Sequence, residues 1–387
     1  MRARSTKHSG SSQRGLSLVE LMVAMGLALA IIAAVGYVYI QGKQGFTVQD
    51  NQSRLQENAR LAVSILSRDI QMAGYFGCVK LLGDTNSAFP TSSIRITASQ
   101  PILTADIGWL ELDGDQATGY RDLNPGIALR GYDNGVGWQA PSGVISSRLA
   151  GTDALLILRG GDDARHLSES ATETEFKIAT PMTGLTADSR VRPLVISNCT
   201  RGELIKPTIL DAGLRFSVDN TLNTNTASTV SDPLVENRLR GSYNTNSMIA
   251  TFEPVSYYVA LATGANGVQV PSLKRMVMTW NTSTPGNVGR WDNSPDVLIE
   301  GVEQFGVSYF IAGATDGTSS GPFTATQVSA ASGWTSVVAV QINLTMVGDD
   351  DGVRTTQTTQ TVGGTTITDQ KIRLNTSFTV NIRNPHL

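Results

Sequence analysis

The first strong pattern in the chain is an apolar run that begins at Leu16 and extends to Ile40. At a rise of about 1.5 Å per residue, a helix of this length is long enough to cross a bilayer core of roughly 30 Å. Glu20 is the one charged residue in the run. Because a charge inside lipid is costly, we expect its carboxylate to be functional and to have a partner. Residues 16–40 are therefore predicted to form a transmembrane helix.

A second pattern carries the helix beyond the membrane. Residues 41–45 contain two glycines and Lys43, which mark the membrane exit. Helical spacing then resumes, and apolar residues recur every three or four positions on one face, namely Leu55, Ala59, Ala62, Leu66, Ile70 and Ala73. Charged residues such as Arg68 and Asp69 lie mostly off that face, and Gly74 is expected to end the helix. We predict that residues 41–77 form an amphipathic half of the same helix that packs on a sheet, since the pattern is too short for a free coiled-coil stem.

The remaining chain, residues 78–387, has the pattern of a β-rich head. Between the turn residues lie apolar runs and segments in which apolar and polar residues alternate. They predict strands at 127–129, 151–161, 176–178, 193–199, 251–261, 272–279, 297–309, 334–344 and 372–380. We expect 176–178 to pair with 151–161. Residues 79–150 are interpreted as an insertion of loops and short strands, and 218–232 as a loop rich in Asn, Thr and Ser. The fold class is α+β, with the head dividing into sub-sheets at 78–250 and 251–387.

The residues before the apolar run determine its orientation. Residues 1–14 contain Arg2, Arg4, Lys7 and Arg14 and no acidic residue. Positive charge favours the cytoplasmic side, so the head is expected outside the cytoplasm.

The sequence around Gly15 resembles the cleavage signal of type IV prepilins and type II secretion pseudopilins. The matching residues are Arg14-Gly15 followed by Leu-Ser-Leu-Val-Glu20, although Leu16 stands where that family usually has Phe. The resemblance implies that residues 1–15 are a leader, that a prepilin peptidase cuts between Gly15 and Leu16, and that the new N-terminus is methylated. It also implies a pilin architecture, with one long helix under a β-rich head.

Later segments are similar to one branch of that family, the PilW-type minor pilins. They comprise the run at 72–78, the Gly-Thr-Asp strand at 151–153, and the segments at 272–275, 298–309, 334–344 and 382–384. This resemblance implies a minor pilin that helps prime type IV pilus assembly at the tip. Its implied partners are other minor pilins, the major pilin and a tip adhesin, reached from the inner membrane.

The chemistry of Glu20 agrees with the resemblance. After cleavage, the amine of Leu16 would lie about 6 Å along the helix axis from Glu20. When staggered helices pack, the carboxylate of one subunit can meet the amine of its neighbour, and such a pair is strong in a low dielectric.

Three other interpretations compete. An ordinary secretory signal could use the Ala28-Leu29-Ala30 run as its cleavage site, but its apolar region would be shorter and would lack an acid. A J-type pseudopilin of type II secretion shares the same N-terminus. A signal-anchored periplasmic enzyme or binding protein belongs to a different class.

Cysteine content and charge refine the picture. Outside the cytoplasm, the pair Cys78 and Cys199 indicates a disulfide, worth up to about 4–5 kcal/mol for a loop of roughly 120 residues; two free buried thiols are the alternative. The formal net charge falls from −3 to −7 on loss of the leader, which contains four of the thirty Lys and Arg residues and none of the acids. The sequence contains no basic patch that would indicate nucleic-acid binding.

Candidate chemistry in the head is sparse. Asp162, Asp163 and His166 are close in sequence, and His386 is near the terminus. The sequence contains no nucleophile elbow and no nucleotide-binding motif. We therefore expect residues 162–166 to form a polar hairpin, and we do not expect an enzyme. Calcium is the one cofactor that the sequence leaves open. Acidic turns at 349–351 and at 113–115 could bind it, but neither turn contains a complete pattern of calcium ligands. Trp138, Trp280, Trp291 and Trp334 are expected to pack in the core or on the sheet instead of forming a glycan surface.

Overall fold

One uninterrupted helix precedes all the strands. A computed structural model describes residues 17–77, 94–96, 112–113, 122–123, 128–136, 138, 147–183, 185, 194–198, 202–205, 207–218, 239, 241–264, 267–280, 289–291, 295–312, 319–331, 333–348, 356–362 and 365–383. The helix, α1, spans Leu18–Gln71, and a second helix, α2, spans Ala325–Ala330. Residues 16–40 and 41–77 were predicted as two halves of one helix, and the described part is continuous across the glycines at 42 and 45.

The strands of the head are short in its first half and long in its second. The first half contains β1 Ile94–Ile96, β2 Leu112–Asp113, β3 Asp122–Leu123, β4 Leu129–Tyr132, β5 Ala154–Gly160, β6 Arg165–His166, β7 Glu175–Lys177, β8 Leu194–Ser197, β9 Gly202–Ile205, β10 Thr208–Leu210 and β11 Arg215–Ser217. The second half contains β12 Met248–Thr263, β13 Gln269–Trp280, β14 Gly289–Trp291, β15 Asp296–Glu300, β16 Val302–Ala312, β17 Ser319–Phe323, β18 Val337–Val347, β19 Thr358–Val362, β20 Thr365–Asp369 and β21 Arg373–Asn381. The structure therefore has the predicted α+β class.

The largest sheet is organised around β12. Strands β5 and β6 lie on one side of β12, and β8 and β13 lie on the other, all antiparallel to it. Strands β9 and β1 extend this sheet beyond β8, while β4 pairs with β5, and β14 and β15 pair with β13. Its strands come from both sides of residue 250, where we had expected the sub-sheets to divide.

A second sheet of four antiparallel strands has the order β17-β16-β18-β21. Gly301 separates it from the first sheet, because its φ is +76° and a Cβ there would lie 2.5 Å from the carbonyl oxygen of Val347. The single strand predicted at 297–309 is therefore two strands, β15 and β16. Close backbone approach at a glycine ends the first and starts the second.

Smaller sheets complete the described fold. Strand β7 pairs with β11, which pairs in turn with β10, so the predicted pairing of 176–178 with 151–161 is wrong. A core around the stacked rings of Phe176 and Phe216 holds this small sheet against β8. Strands β19 and β20 form a separate two-stranded ribbon, and β2 pairs with β3.

The main core lies between α1 and the two larger sheets. The buried face of α1 meets apolar residues of β5, β12, β16, β18 and β21 in one cluster. The predicted stripe of α1 is confirmed, since each of its residues from Leu55 to Ala73 is less than a tenth exposed. Gly74 lies just past the helix with φ +70°, as expected for the residue that follows a helix C-terminus.

Candidate assembly site

The first half of α1 stands free of the head. From residue 18 to residue 46, every large apolar side chain is at least half exposed, and none of the most apolar stretch is buried. The helix rises about 33 Å between residues 18 and 40, enough to cross a membrane. A continuous apolar surface of this size needs lipid or other helices around it.

Glu20 lies in the first turn of α1 and is exposed. Its charge is favourable near the helix N-terminus. From residue 17 to residue 42 it is the only charged residue. Gly15 and Leu16, the predicted cleavage site, lie outside the described residues, so the distance from Glu20 to the new amine is not part of the described geometry.

The second half of α1 is fixed to the head at both ends. At its start, Asn51 is buried and lies against Gly348, where a Cβ would come within 2.8 Å of the Asn51 side-chain oxygen. Near its end, the carboxylate of Asp69 is buried and accepts a hydrogen bond from the hydroxyl of Tyr257 on β12. The head therefore fixes the rotation of the helix as well as its position.

Two arginines complete the surroundings of Asp69. The Nε atoms of Arg159 and Arg275 lie 3.9 Å and 3.5 Å from its two carboxylate oxygens. Arg159 also pairs with Asp162 at 2.9 Å and with Glu253 at 3.4 Å. Burial by itself would lower the pKa of the Arg159 guanidinium, but the nearby carboxylates, Asp69 first among them, more than offset this and raise the pKa.

Burial also acts on the hydroxyl of Tyr257. Desolvation, followed by the neighbouring charge of Asp69, raises the pKa of Tyr257 far above its ordinary value. The hydroxyl therefore stays protonated and acts as a permanent donor to Asp69. Sequence reasoning missed this cluster, because Asp69 was placed off the apolar face and Tyr257 is 188 residues away along the chain.

The segment after α1 is tied to the large sheet by main-chain hydrogen bonds. The amide of Gly74 donates to Leu158 at 2.8 Å, and the amide of Gly160 donates to Tyr75 at 2.9 Å. The hydroxyl of Ser197 donates to the carbonyl oxygen of Phe76 at 2.6 Å. These contacts continue the anchorage beyond the end of the helix.

The predicted disulfide would lie next to these contacts between the large sheet and the segment that follows α1. Cys78 and Cys199 lie outside the described residues, but Phe76 and Ser197, each two positions earlier in the chain, are hydrogen-bonded to each other. A Cβ on Gly77 would lie 2.5 Å from the Ser197 hydroxyl oxygen, so the two segments are in direct contact. The pairing of the cysteines stays a prediction.

The polar hairpin that was weighed as a catalytic site is built from ion pairs. Asp162 binds Arg68 and Arg159, and Asp163 binds Arg165 and accepts from the amide of Thr183. Within the described ranges, no group of three or more His, Cys, Asp or Glu side chains is placed to hold a metal ion.

The calcium candidates lie almost entirely outside the described residues. This holds for residues 349–351 and for Asp115, and only the backbone of Asp113 is described. Calcium binding at these turns therefore stays an open expectation.

Two of the tryptophans are described with their side chains, and both are buried. Trp138 packs on Tyr258 with ring centroids 5.0 Å apart, and Trp334 meets Tyr309 edge-on at the same distance. The expectation of packing is confirmed for these two. The side chains of Trp280 and Trp291 lie outside the description.

Comparison with known proteins finds a match to the C-terminal third of the chain. Residues 256–384 match the family model described as Type IV Pilus-assembly protein W. The matched range runs from within β12 to the end of β21, and so includes the four-stranded sheet and Tyr257. No curated protein and no solved structure matches the chain. The family match supports involvement in type IV pilus assembly.

Proposed function

We propose that this chain is a minor pilin: an inner-membrane prepilin that enters a type IV pilus and helps to prime its assembly or to form its tip complex. The observation that carries the proposal is the division of α1 at about residue 50. Below that point the helix is exposed and apolar, and above it the helix is fixed to the head. A helix of this kind can leave lipid and enter a bundle of similar helices while the head stays folded.

Non-covalent assembly is the function that this architecture supports best. Moving the apolar half of α1 from lipid to a helix bundle exchanges one apolar environment for another, so packing and polar contacts decide whether it moves. Glu20 supplies the polar contact. Its carboxylate would pair with the N-terminal amine of a neighbouring subunit, and an unpaired carboxylate in that environment is costly.

Processing at the N-terminus belongs to the same proposal. Prepilin peptidase would cut between Gly15 and Leu16 and methylate Leu16, which creates the amine that Glu20 of a neighbour needs. In the periplasm a disulfide between Cys78 and Cys199 would join the end of the stem to the large sheet. The contact between Phe76 and Ser197 supports that pairing.

The proposed partners are the other minor pilins, the major pilin and a tip adhesin. The family match at 256–384 favours this pilus role over a J-type pseudopilin of type II secretion. We propose no enzymatic activity and no cofactor.

Incorporation into pili tests the proposal. Glu20→Ala should leave the chain in the inner membrane and remove it from sheared pili, as measured by immunoblots of the two fractions. Glu57→Ala is the matched control, because Glu57 is an exposed carboxylate on the same helix above the apolar half. Equal amounts of Glu20→Ala and wild-type chain in pili would contradict the proposal, as would equal loss of both variants.

A further inference from the structure

The ribbon of β19 and β20 is the one pair of long strands in the described structure that joins neither larger sheet. Its register runs from the Thr358–Asp369 pair to the Val362–Thr365 pair. Isolated two-stranded ribbons are at best marginally stable in water, so this ribbon needs support from the rest of the head.

Buried ion pairs provide that support at the base of the ribbon. Arg373 on β21 donates to both carboxylate oxygens of Asp369 at 2.6 Å. It also binds Glu303 on β16 at 2.8 Å and 3.1 Å, and the side chains of all three residues are about a tenth exposed or less. The hydrogen bonds to Asp369 hold the pKa of that carboxyl below its ordinary value, and the Asp369 and Glu303 carboxylates raise the pKa of Arg373 despite its burial.

Strand β19 lies against the four-stranded sheet. Val362 is buried, Gln360 bonds to Glu303, and the side-chain amide of Gln304 donates to the carbonyl oxygen of Thr361 at 3.4 Å. The ribbon is thus held in place, and β20 is left as its outer strand.

Strand β20 has no lysine, proline or bulge along its exposed edge, and its one charged residue, Asp369, is bonded to Arg373. Its residues from Thr365 to Thr368 are exposed on both faces, including Ile367 at 36%. From residue 355 to residue 368 the chain contains no charged residue and no proline. Edge strands of folded proteins are usually protected by Lys, Pro or a bulge, and threonine and isoleucine favour strand pairing.

The sheet face beside the ribbon is also poor in charge. Arg373 alternates with Leu374, which packs toward the core, so Arg373 lies on the outer face of the sheet. Apart from the buried Val347 and Ala339, the other residues that share this face on β18 and β21 are amides and hydroxyls, namely Gln341, Asn343, Thr345, Asn375, Ser377, Thr379 and Asn381. Depletion of charge is typical of the buried centre of protein interfaces.

The ribbon starts at the end of the head where the stem leaves it. The amide of Gly348, which lies against Asn51 of α1, donates to the carbonyl oxygen of Ile372 at 2.9 Å, next to Arg373. Subunits whose apolar helices pack side by side would therefore bring their heads together near this ribbon.

We propose that β20 is a docking edge that pairs, strand to strand, with an extended segment of a neighbouring subunit of the same pilus. The inference rests on the proposed function, which supplies such a neighbour. An open strand edge offers alternating main-chain donors and acceptors, and another strand is the partner that satisfies them. Because the edge is neutral, the partner segment is an uncharged, β-forming stretch. A second copy of this chain is the less suitable occupant, since two copies of equal negative charge repel each other.

Lysine substitution at the edge provides the test in piliated cells. Thr366→Lys and Ile367→Lys place a protective charge on opposite faces of β20. The control is Leu261→Lys, since Leu261 is also an exposed apolar strand residue, at 44%, but lies on β12 of the largest sheet, where it pairs with Pro271. The two edge variants should lower incorporation into pili by about tenfold, equivalent to about 1.4 kcal/mol of binding free energy, while the control incorporates as the wild type.

A photo-crosslinker at Ile367 identifies the occupant in the same cells. The expected product joins Ile367 to an uncharged β-forming segment of another pilus subunit, and it disappears when Thr366→Lys is present. Normal incorporation of both edge variants would overturn the inference, as would equal loss of the Leu261→Lys control or crosslinks to a second copy of this chain. Failure of the proposed function looks different, because cells lacking the whole chain would then assemble pili normally.

Discussion

Replacing Tyr257 by Phe tests how strongly the Asp69 cluster holds the stem helix to the head. The change removes one oxygen atom and leaves a ring that fills the same space. It takes away the hydrogen bond to Asp69, whose carboxylate keeps the guanidinium groups of Arg159 and Arg275 nearby, at 3.9 Å and 3.5 Å.

The expected cost follows from the burial of both partners. Tyr257 has no exposed surface and Asp69 is 5% exposed, so water cannot replace the lost donor. A hydrogen bond to a charged group is worth about 1.5–3 kcal/mol. For a head of this size, that corresponds to a decrease in Tm of about 2–5 °C.

Tyr309→Phe is the matched control. Tyr309 is also fully buried, but its hydroxyl makes no hydrogen bond within the described part of the chain. Because an unsatisfied buried hydroxyl costs free energy, its removal should leave stability unchanged or raise it. Both variants remove one oxygen from a buried tyrosine, so the difference between them reports the Asp69 contact.

Thermal unfolding of the full chain in detergent, followed by near-ultraviolet circular dichroism, measures the difference. We expect Tyr257→Phe to unfold at a lower temperature than the wild type, and Tyr309→Phe to unfold at the same or a higher temperature. Equal midpoints for the two variants would refute the reasoning, because they would mean that the buried hydrogen bond contributes nothing to the anchorage.

Two further predictions concern the head. Gly131→Ala should destabilise it by about 1–3 kcal/mol through overpacking, because the new Cβ would lie 1.6 Å from the Tyr309 hydroxyl oxygen; Gly306→Ala, with no atom closer than 3.7 Å, is the neutral control in urea unfolding. Hydrogen bonds from Arg373 lower the pKa of Asp369 below its ordinary 3.8, so their contribution to stability is complete above that value and is lost as the pH falls through the lower folded pKa. The protection of the 365–369 amides against hydrogen exchange, after correction for the intrinsic rate at each pH, should therefore decrease as the pH falls through and below 3.8, and Asp369→Asn should remove this pH dependence while lowering the protection at neutral pH.

The long-period patterns of the sequence predicted the architecture well. The apolar face from Leu55 to Ala73 and the strands around 151–161 and 251–261 appear in the structure close to where they were expected. These features depend on residues that are near one another in the chain, and local periodicity reports such features directly.

Features set by distant contacts were harder to predict. The partner of β7 is chosen by the stacking of Phe176 on Phe216, 40 residues away, and no local pattern encodes that choice. Asp69 is buried in spite of its charge because Tyr257 and two arginines surround it. The break at Gly301 depends on the position of Val347 on another strand.

The ribbon did carry a local signal that the strand prediction omitted. Two threonine-rich runs flank the Gly363-Gly364 dipeptide, which is typical of a tight hairpin. Because these two runs contain few apolar residues, they lack the alternation of apolar and polar positions that predicts a strand. The supporting contacts come from Glu303 and Arg373, which belong to other strands.

The central claim is that the apolar half of α1 is a processed assembly helix, and the mass of the mature N-terminal peptide tests it most directly. The account predicts a peptide that begins with N-methylated Leu16 and lacks residues 1–15. A mature chain that still contains Met1 or the cationic leader, or one that begins beyond Ile40, would contradict it.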